Sequence, residues 1–240
     1  HGCVPLCEDG SLKETSVYGK RYKGRGLYDV LESYIRRGFM AEDETERKRG
    51  RDIMWYIWLG ENSPLFGKDK MATFERYFLA EKETHKEVKN PYYRFLENEE
   101  VIDRILREFG LEPEGAHIIN GHVPVKTKDG ESPIKCGGKL LVIDGGFSRA
   151  YQEETGIAGY TLIYNSYGLI LAAHKPFEST ESAIENESDI HSESTMVKWV
   201  AKRKRVGDTD AGRELREKIR DLEGLLEAYY SGAIAEKFTG

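Results

Sequence analysis

The spacing of apolar residues changes near Gly115, and this change limits the folds open to the 240-residue chain. Between residues 27 and 108, apolar side chains recur every three or four positions, which is typical of one face of an α-helix. After Gly115 they form short runs typical of strands. Residues 212–230 are helical again, with one apolar face, as expected for a helix that docks on the protein. A block of helices between sheet-forming segments predicts an α+β fold with a helical insertion.

Capping residues, glycine, proline and turn sequences predict the bounds of several helices and strands. The best-bounded helix follows Asn98, has one apolar face and ends at Gly110, with Pro113 beyond it. Strands are predicted at residues 116–126, 139–144, 160–165 and 169–174, and the last two form a hairpin because a short polar turn with glycine joins them. Residues 1–28 are predicted to be loop and short strand, and residues 178–194 a polar segment. The helical block also carries aromatic residues that are expected to build its core: Trp55, Tyr56, Trp58, Phe74, Tyr77 and Phe78.

The charge balance and the cysteines argue against several classes of protein. The chain has 42 acidic and 36 basic residues and a formal net charge of -6, so strong non-specific attraction to nucleic acid or an anionic membrane is not expected. The basic run at residues 202–205 is therefore interpreted as a solvated face. Apolar runs are too short to cross a bilayer, and three cysteines complete neither a disulfide framework nor a zinc cage. These features predict a cytoplasmic protein with unpaired thiols.

A histidine after a predicted strand gives the first candidate site. Residues 116–119 are apolar apart from His117, and the chain then delivers His122 directly after a glycine. A rigid strand fixes such a ligand, and glycine lets the backbone approach an ion closely. A lone Gly-His pair would indicate only a surface histidine, but His117, Lys126 and two glycine-rich turns crowd into the same region. The sequence therefore predicts a metal site that includes His122.

Basic side chains around this region indicate a phosphorylated substrate. Lys126, Lys135 and Arg149 lie on predicted loops or strand ends near His122 and can neutralise phosphate oxygens. With a histidine ligand they suggest phosphate-ester chemistry, in which two metal ions about 3.5 to 4 Å apart clamp the attacking and leaving oxygens. Lys68 is either a further phosphate contact or a solvated lysine. Its loop is not a phosphate-binding loop, because six residues separate the two glycines.

Six longer strings carry a family resemblance. They are residues 1–5 (HGCVP), 63–68 (SPLFGK), 73–78 (TFERYF), 119–126 (INGHVPVK), 143–148 (IDGGFS) and 164–168 (YNSYG). These strings resemble the class III fructose-1,6-bisphosphatases, which belong to the calcineurin-like metallophosphoesterase superfamily. The resemblance implies hydrolysis of fructose 1,6-bisphosphate to fructose 6-phosphate and phosphate in gluconeogenesis. It also implies manganese as the cofactor, with two ions in the complete enzyme.

The resemblance further implies a fold and a division of the chain. The chain is expected to be part of a calcineurin-like β-sandwich with a helical insertion and C-terminal helices. Residues 1–26 and 115–178 would form the C-terminal part of the metallophosphoesterase core, residues 27–114 the helical insertion, and residues 179–240 a C-terminal helical extension. Self-association into a homo-oligomer is compatible with the sequence.

Two metal ligands follow from the resemblance, residue by residue. His1 is similar to the histidine ligand that follows the family's central strand, and His122 to the ligand of its later Gly-His motif. The superfamily's Asp-x-His, Gly-Asp-x-x-Asp and Gly-Asn-His elements do not occur here, so the catalytic residues are expected upstream of His1. The chain is therefore expected to be a C-terminal part of the enzyme that is inactive alone. The alternative is a non-catalytic module that binds a sugar phosphate or a regulatory ligand.

Overall fold

The computed structural model describes residues 2–121, 123–144, 148–177, 179–187, 192–200 and 202–234, with Arg149 described by its backbone alone. The helices of these residues are α1 (Gly24–Met40), α2 (Glu44–Leu59), α3 (Thr73–Phe78), α4 (Glu99–Glu108), α5 (Arg149–Thr155), α6 (Thr180–Glu185) and α7 (Asp210–Tyr230). The strands are β1 (Thr15–Val17), β2 (Lys20–Tyr22), β3 (Ile118–Asn120), β4 (Ile134–Lys135), β5 (Leu140–Val142), β6 (Gly159–Asn165), β7 (Gly168–His174) and β8 (Ser192–Trp199).

The strands form three small sheets, with the orders β1-β2, β3-β5-β4 and β6-β7-β8. The chain divides into two compact units, the first made of the described parts of His1–Thr161 and Ala172–Glu193 and the second of those of Leu162–Leu171 and Ser194–Gly240. Mixed helices and small sheets confirm the predicted α+β class. Within the described ranges, no helix is long and apolar enough to cross a bilayer.

Helices α1 and α2 form a hairpin whose two backbones touch. A Cβ added to Gly38 of α1 would stand 2.6 Å from the Cα of Gly50 in α2, so the crossing requires glycine. Asp43 begins α2 by accepting a hydrogen bond from the Glu46 N–H at 2.9 Å. The buried residues that hold the hairpin on the preceding strand are Val17, Leu27, Leu31 and Ile53.

The helix predicted after Asn98 is confirmed as α4. The Asn98 side chain accepts a hydrogen bond from the Val101 N–H at 3.0 Å and so caps the helix. The chain leaves the helix through Phe109 and Gly110, where glycine adopts a positive φ of 76°. The buried face of α4 consists of Val101, Ile102, Ile105 and Leu106.

The sheet that carries the Gly-His stretch is smaller than predicted. Strand β3 pairs in parallel with β5, with Ile118 opposite Leu140, and β4 pairs antiparallel on the other edge of β5. The central strand β5 is buried throughout. The predicted strand at residues 116–126 was too long, because β3 ends at Asn120. Pro124 has no N–H to donate to a ladder and could not have belonged to a central strand.

The predicted hairpin is confirmed as β6 and β7, but strand β8 was not predicted. Only two residues join β6 to β7, which fits an antiparallel pair. The residues of β8 are exposed or half-buried. A strand that buries neither face shows no apolar alternation, and periodicity therefore could not reveal it.

Two expectations about burial were wrong. Trp55 and Trp58 of α2 are 61% and 58% exposed, and the three aromatic side chains of α3 are each more than 70% exposed. Of the six aromatics expected in the core, Tyr56 packs partly buried on the α1–α2 cluster. The apolar face of α7 is also exposed in the described part of the chain, with Leu222 64% exposed. Helical spacing identifies an apolar face but does not say what covers it.

Candidate functional site

Both histidines predicted to bind metal, His1 and His122, lie outside the described residues. The side chain of Arg149 is likewise outside them, and its backbone begins α5. Among the residues that the structure does describe, no group of three or more His, Cys, Asp or Glu side chains is placed to hold a metal ion. The metal ligands and the role of Arg149 therefore stay predictions.

The structure does describe the residues next to both histidines, and these residues meet. Asn120, at the end of β3, donates a hydrogen bond from Nδ2 to the carbonyl oxygen of Gly2 at 3.1 Å. Its Oδ1 accepts a hydrogen bond from the Tyr92 hydroxyl at 2.7 Å. The Tyr93 hydroxyl also donates to the Gly2 carbonyl oxygen, at 3.4 Å. One amide thus joins the start of the chain to the strand that leads to His122.

Burial makes this junction rigid. The Tyr92 side chain is 1% exposed, and burial raises its pKa, so that the hydroxyl keeps its proton and acts as the donor to Asn120. The backbone next to Gly2 is held as well, because the Cys3 N–H donates to the Pro64 carbonyl oxygen at 2.8 Å and the Tyr28 hydroxyl to the Cys3 carbonyl oxygen at 2.8 Å. Sequence reasoning gave no role to Asn120 or Tyr92.

The Cys3 thiol is a structural group. It is 3% exposed and lies 3.8 Å from the carbonyl oxygen of Ser63. Burial raises its pKa to about 12, so the thiol is protonated at neutral pH and packs as a small apolar group. All three cysteines are free, as the sequence predicted.

The Glu131 carboxylate contacts the backbone of Lys126 and the side chain of Lys135. Glu131 accepts a hydrogen bond from the Lys126 backbone N–H at 3.0 Å and lies 3.6 Å from the Lys135 Nζ. Lys135 also lies 3.6 Å from Glu97, and its side chain is only 13% exposed. Lys126 is exposed. A phosphate could reach Lys126 directly, but at Lys135 it would compete with two carboxylates.

Lys68 belongs to a different network. Its Nζ lies 2.8 Å from a Glu87 oxygen, and Glu87 also accepts the Ala72 N–H at 2.9 Å and lies 3.5 Å from Arg76. The hydrogen bond from Lys68 is the main reason that the pKa of Glu87 is lowered. Lys68 is therefore not the freely solvated lysine that was its alternative interpretation. It lines an open cavity of about 480 Å³ that also contains Lys13 and Lys89.

His117 has a local partner. Its Nδ1 lies 2.8 Å from the carbonyl oxygen of Gly138. A carbonyl oxygen only accepts hydrogen bonds, so Nδ1 carries the hydrogen and donates. His117 thereby ties the start of β3 to the glycine-rich turn before β5, which is a structural role.

Comparisons with known proteins identify the family. The sequence model of the Firmicute fructose-1,6-bisphosphatase family matches residues 1–231. The chain is 61% identical over 237 residues to a protein named fructose-1,6-bisphosphatase class 3 from Clostridioides difficile (strain 630). This match covers 98% of this chain and 36% of the relative. It is 57% identical over 238 residues to the protein of that name from Clostridium novyi (strain NT). This match covers 99% of this chain and 36% of that relative.

The chain thus spans about a third of the length of these relatives, 36% in both cases. No solved structure matches it. Because the family model covers nearly all of the chain, the conclusion does not depend on a short motif. The chain belongs to the Firmicute fructose-1,6-bisphosphatase family.

Proposed function

We propose that this chain works as part of a longer fructose-1,6-bisphosphatase, which hydrolyses fructose 1,6-bisphosphate to fructose 6-phosphate and phosphate in gluconeogenesis. Membership of the family and the name of the relatives support this activity. The relatives are longer than the chain, so residues outside it would complete the site. The chain alone would then have no phosphatase activity.

The observation that carries the proposal is the hydrogen bond between Asn120 and Gly2. Gly2 follows His1, and Asn120 stands two residues before His122, so this bond joins the two segments that carry the proposed ligands. The segments are 118 residues apart in the sequence. A hydrogen bond that holds these two segments together through a half-buried amide is what a metal site shared by their histidines would require.

The residue types near this junction fit a divalent transition metal such as manganese. Imidazole nitrogens are ligands for such ions. His1 and His122 would supply two ligands of a two-ion site, and the other ligands would come from outside this chain. When bound, the ions would lower the pKa of a water molecule and stabilise the charge that develops on phosphate.

The basic residues of the chain would hold the substrate. Lys126 is exposed on the loop after His122 and can approach a phosphate as a point charge. Lys135 and Lys68 would exchange an existing carboxylate partner for phosphate oxygens, and Arg149 would offer a planar pair of donors. In these roles they bind and orient the sugar phosphate, and the metal site performs the hydrolysis.

The same proposal extends to the fold. The sheet β3-β5-β4 would be part of a calcineurin-like β-sandwich, formed by residues 1–26 and 115–178. Residues 27–114 would be its helical insertion and residues 179–240 its C-terminal extension. The hydrogen bond between Gly2 and Asn120 supports the grouping of the first two segments.

The rival function is a module that binds a sugar phosphate without catalysis. The test is phosphate release from fructose 1,6-bisphosphate, with and without manganese, by the full-length protein and by the 240-residue chain. Manganese-dependent release by the full-length protein alone supports the proposal. Binding of the sugar phosphate by the full-length protein without any release would select the rival, and release by the isolated chain would show that it carries a complete site.

A further inference from the structure

Helix α7 presents a continuous apolar stripe to solvent. Its exposed apolar side chains recur with alternating spacings of four and three residues, from Leu215 through Ile219, Leu222 and Leu226 to Tyr229. Each of these five side chains is between 42% and 64% exposed. A strict alternation of three and four is the pattern of a coiled-coil seam, which is narrower than the apolar face of an ordinary packed helix.

The heptad register places every seam residue. With Ile219 at position a, Leu222 falls at d, Leu226 at the next a and Tyr229 at the next d, while Leu215 is the preceding d. The a position one heptad earlier is Gly212. It is buried against the segment before the helix, where an added Cβ would meet the Val206 carbonyl oxygen at 1.9 Å. The start of the seam is therefore packed within the unit, and the exposed seam begins at Leu215.

The charges beside the seam fit a second copy of the same helix. In a parallel pair, a residue at position g faces position e of the next heptad on the other helix. Position g holds Lys218, and the e position that it would face holds Glu223. A parallel homodimer thus forms this oppositely charged pair twice. The next such pair is Leu225 with Tyr230, and both side chains are apolar and exposed, at 44% and 84%.

An antiparallel pair of α7 helices would not form the contact between Lys218 and Glu223. In an antiparallel pair, g faces g and e faces e, so Lys218 of one copy would not meet Glu223 of the other. Ile219 at position a beside Leu222 at position d also favours two parallel strands over larger bundles. From Leu215 to Tyr229 the exposed seam covers two heptads, or about 21 Å at 1.5 Å per residue.

We propose that α7 is a self-association surface, which pairs in parallel with α7 of a second copy through Leu215, Ile219, Leu222, Leu226 and Tyr229. The pair is independent of the hydrolytic reaction proposed above. The competing occupant of the stripe is a segment of the longer protein outside this chain. The charges beside the stripe are complementary to those of a second α7, and binding of a different segment would not require this self-complementarity.

Charge-reversal substitutions distinguish pairing with a second copy of α7 from binding of another segment of the longer protein. Lys218→Glu places two glutamates opposite each other in the homodimer, and Glu223→Lys places two lysines there. Each swap replaces two attractive contacts with two repulsive ones and should weaken self-association roughly tenfold. Mixing the two single variants restores both attractive contacts, so the mixture should form a heterodimer as tight as the wild-type homodimer. Arg220→Glu reverses a charge at position b, off the seam, and is the matched control.

The measurement is sedimentation equilibrium of the full-length protein at micromolar concentrations, with helix content checked by circular dichroism. We expect twice the mass of one full-length copy for the wild type, the control and the mixture, and a shift toward the mass of one copy for each single variant. A wild type that stays at the mass of one copy, or single variants that do not recover on mixing, would overturn the proposal.

A cross-link tests the orientation. Tyr229→Cys places equivalent thiols opposite each other at a d position only if the two helices are parallel, because a disulfide requires Cα atoms within about 7 Å. Oxidation should then give a covalent dimer of this variant, with the wild type and its three native cysteines as the control. A covalent dimer no more abundant than in the wild type would contradict parallel pairing.

Discussion

At the scale of single residues, Asn120 is the residue on which the candidate site depends. It satisfies the Gly2 carbonyl oxygen and the buried Tyr92 hydroxyl at once. Asn120→Ala should lower the free energy of unfolding by about 1–3 kcal/mol, because it leaves the buried Tyr92 hydroxyl without its acceptor and removes one of the two hydrogen bonds to the Gly2 carbonyl oxygen. In the full-length protein it should also raise the manganese concentration needed for half-maximal activity. Chemical denaturation and a manganese titration measure the two effects.

Tyr92→Phe is the matched control for that variant. It removes one hydrogen bond and keeps the bond from Asn120 to Gly2, so it should cost about 0.5–1.5 kcal/mol and leave the manganese requirement unchanged. If both variants shift the manganese requirement equally, Asn120 acts through general stability, and the junction does not position the ligands.

The ion pair of Lys68 with Glu87 makes a prediction about pH. The folded state lowers the pKa of Glu87, so the stabilisation is present above the ordinary glutamate pKa of about 4.3 and is lost as the pH falls through the lower folded value. Glu87→Gln should therefore destabilise the protein at pH 7 and lose less stability than the wild type on acidification. The measurement is the unfolding midpoint of the wild type and of Glu87→Gln at several pH values between 7 and 3. Parallel curves for the two proteins would show that the pair contributes nothing.

Sequence reasoning found the candidate residues but not their partners. The histidines and lysines were visible from residue type and from the family resemblance. The bond from Asn120 to Gly2 crosses 118 positions, and the Glu97 carboxylate reaches Lys135 only in the folded chain. Neither contact leaves a local signal, so neither could be predicted. Glu131 stands only four positions before Lys135, and sequence reasoning missed that pair.

At the scale of elements, the α1–α2 hairpin depends on two glycines. Gly38→Ala should destabilise the protein by about 1–3 kcal/mol, because its Cβ would overlap the Gly50 backbone and force the helices apart. Gly26→Ala, in the same helix, meets no atom within 4 Å and should stabilise the protein by up to about 1 kcal/mol, since alanine favours helix. Thermal unfolding of both variants is the measurement. A stabilising Gly38→Ala would contradict the close crossing.

The elements that could be predicted are those with a complete local signal. Helix α4 has a capping asparagine, a buried apolar face and a terminal glycine, and the β6–β7 hairpin has a short turn between two apolar runs. Strand β8 lacks an apolar face and was missed. The exposed aromatics of α2 and α3 were misjudged for the opposite reason, since apolar residues at helical spacing were present but the described structure leaves them uncovered.

At the scale of the whole molecule, the chain spans about a third of the length of its relatives. The two proposed ligands, His1 and His122, are too few for a two-ion site, so residues outside the chain would have to complete it. We therefore expect the purified 240-residue chain to release no phosphate from fructose 1,6-bisphosphate at any manganese concentration. A colorimetric phosphate assay checks this, with the full-length protein as the positive control. Manganese-dependent turnover by the chain alone would mean that the site needs nothing else.

The most direct test of the central claim is a manganese titration of phosphate release by the full-length protein, comparing wild type with His122→Ala and His117→Ala. Loss of outer-shell partners alone costs metal sites about 10- to 100-fold, so loss of a ligand in His122→Ala should lower metal affinity and turnover by at least that much. His117 bonds to Gly138, and His117→Ala should leave the manganese requirement near that of the wild type. Equal losses in the two variants, or release that does not need manganese, would contradict the account.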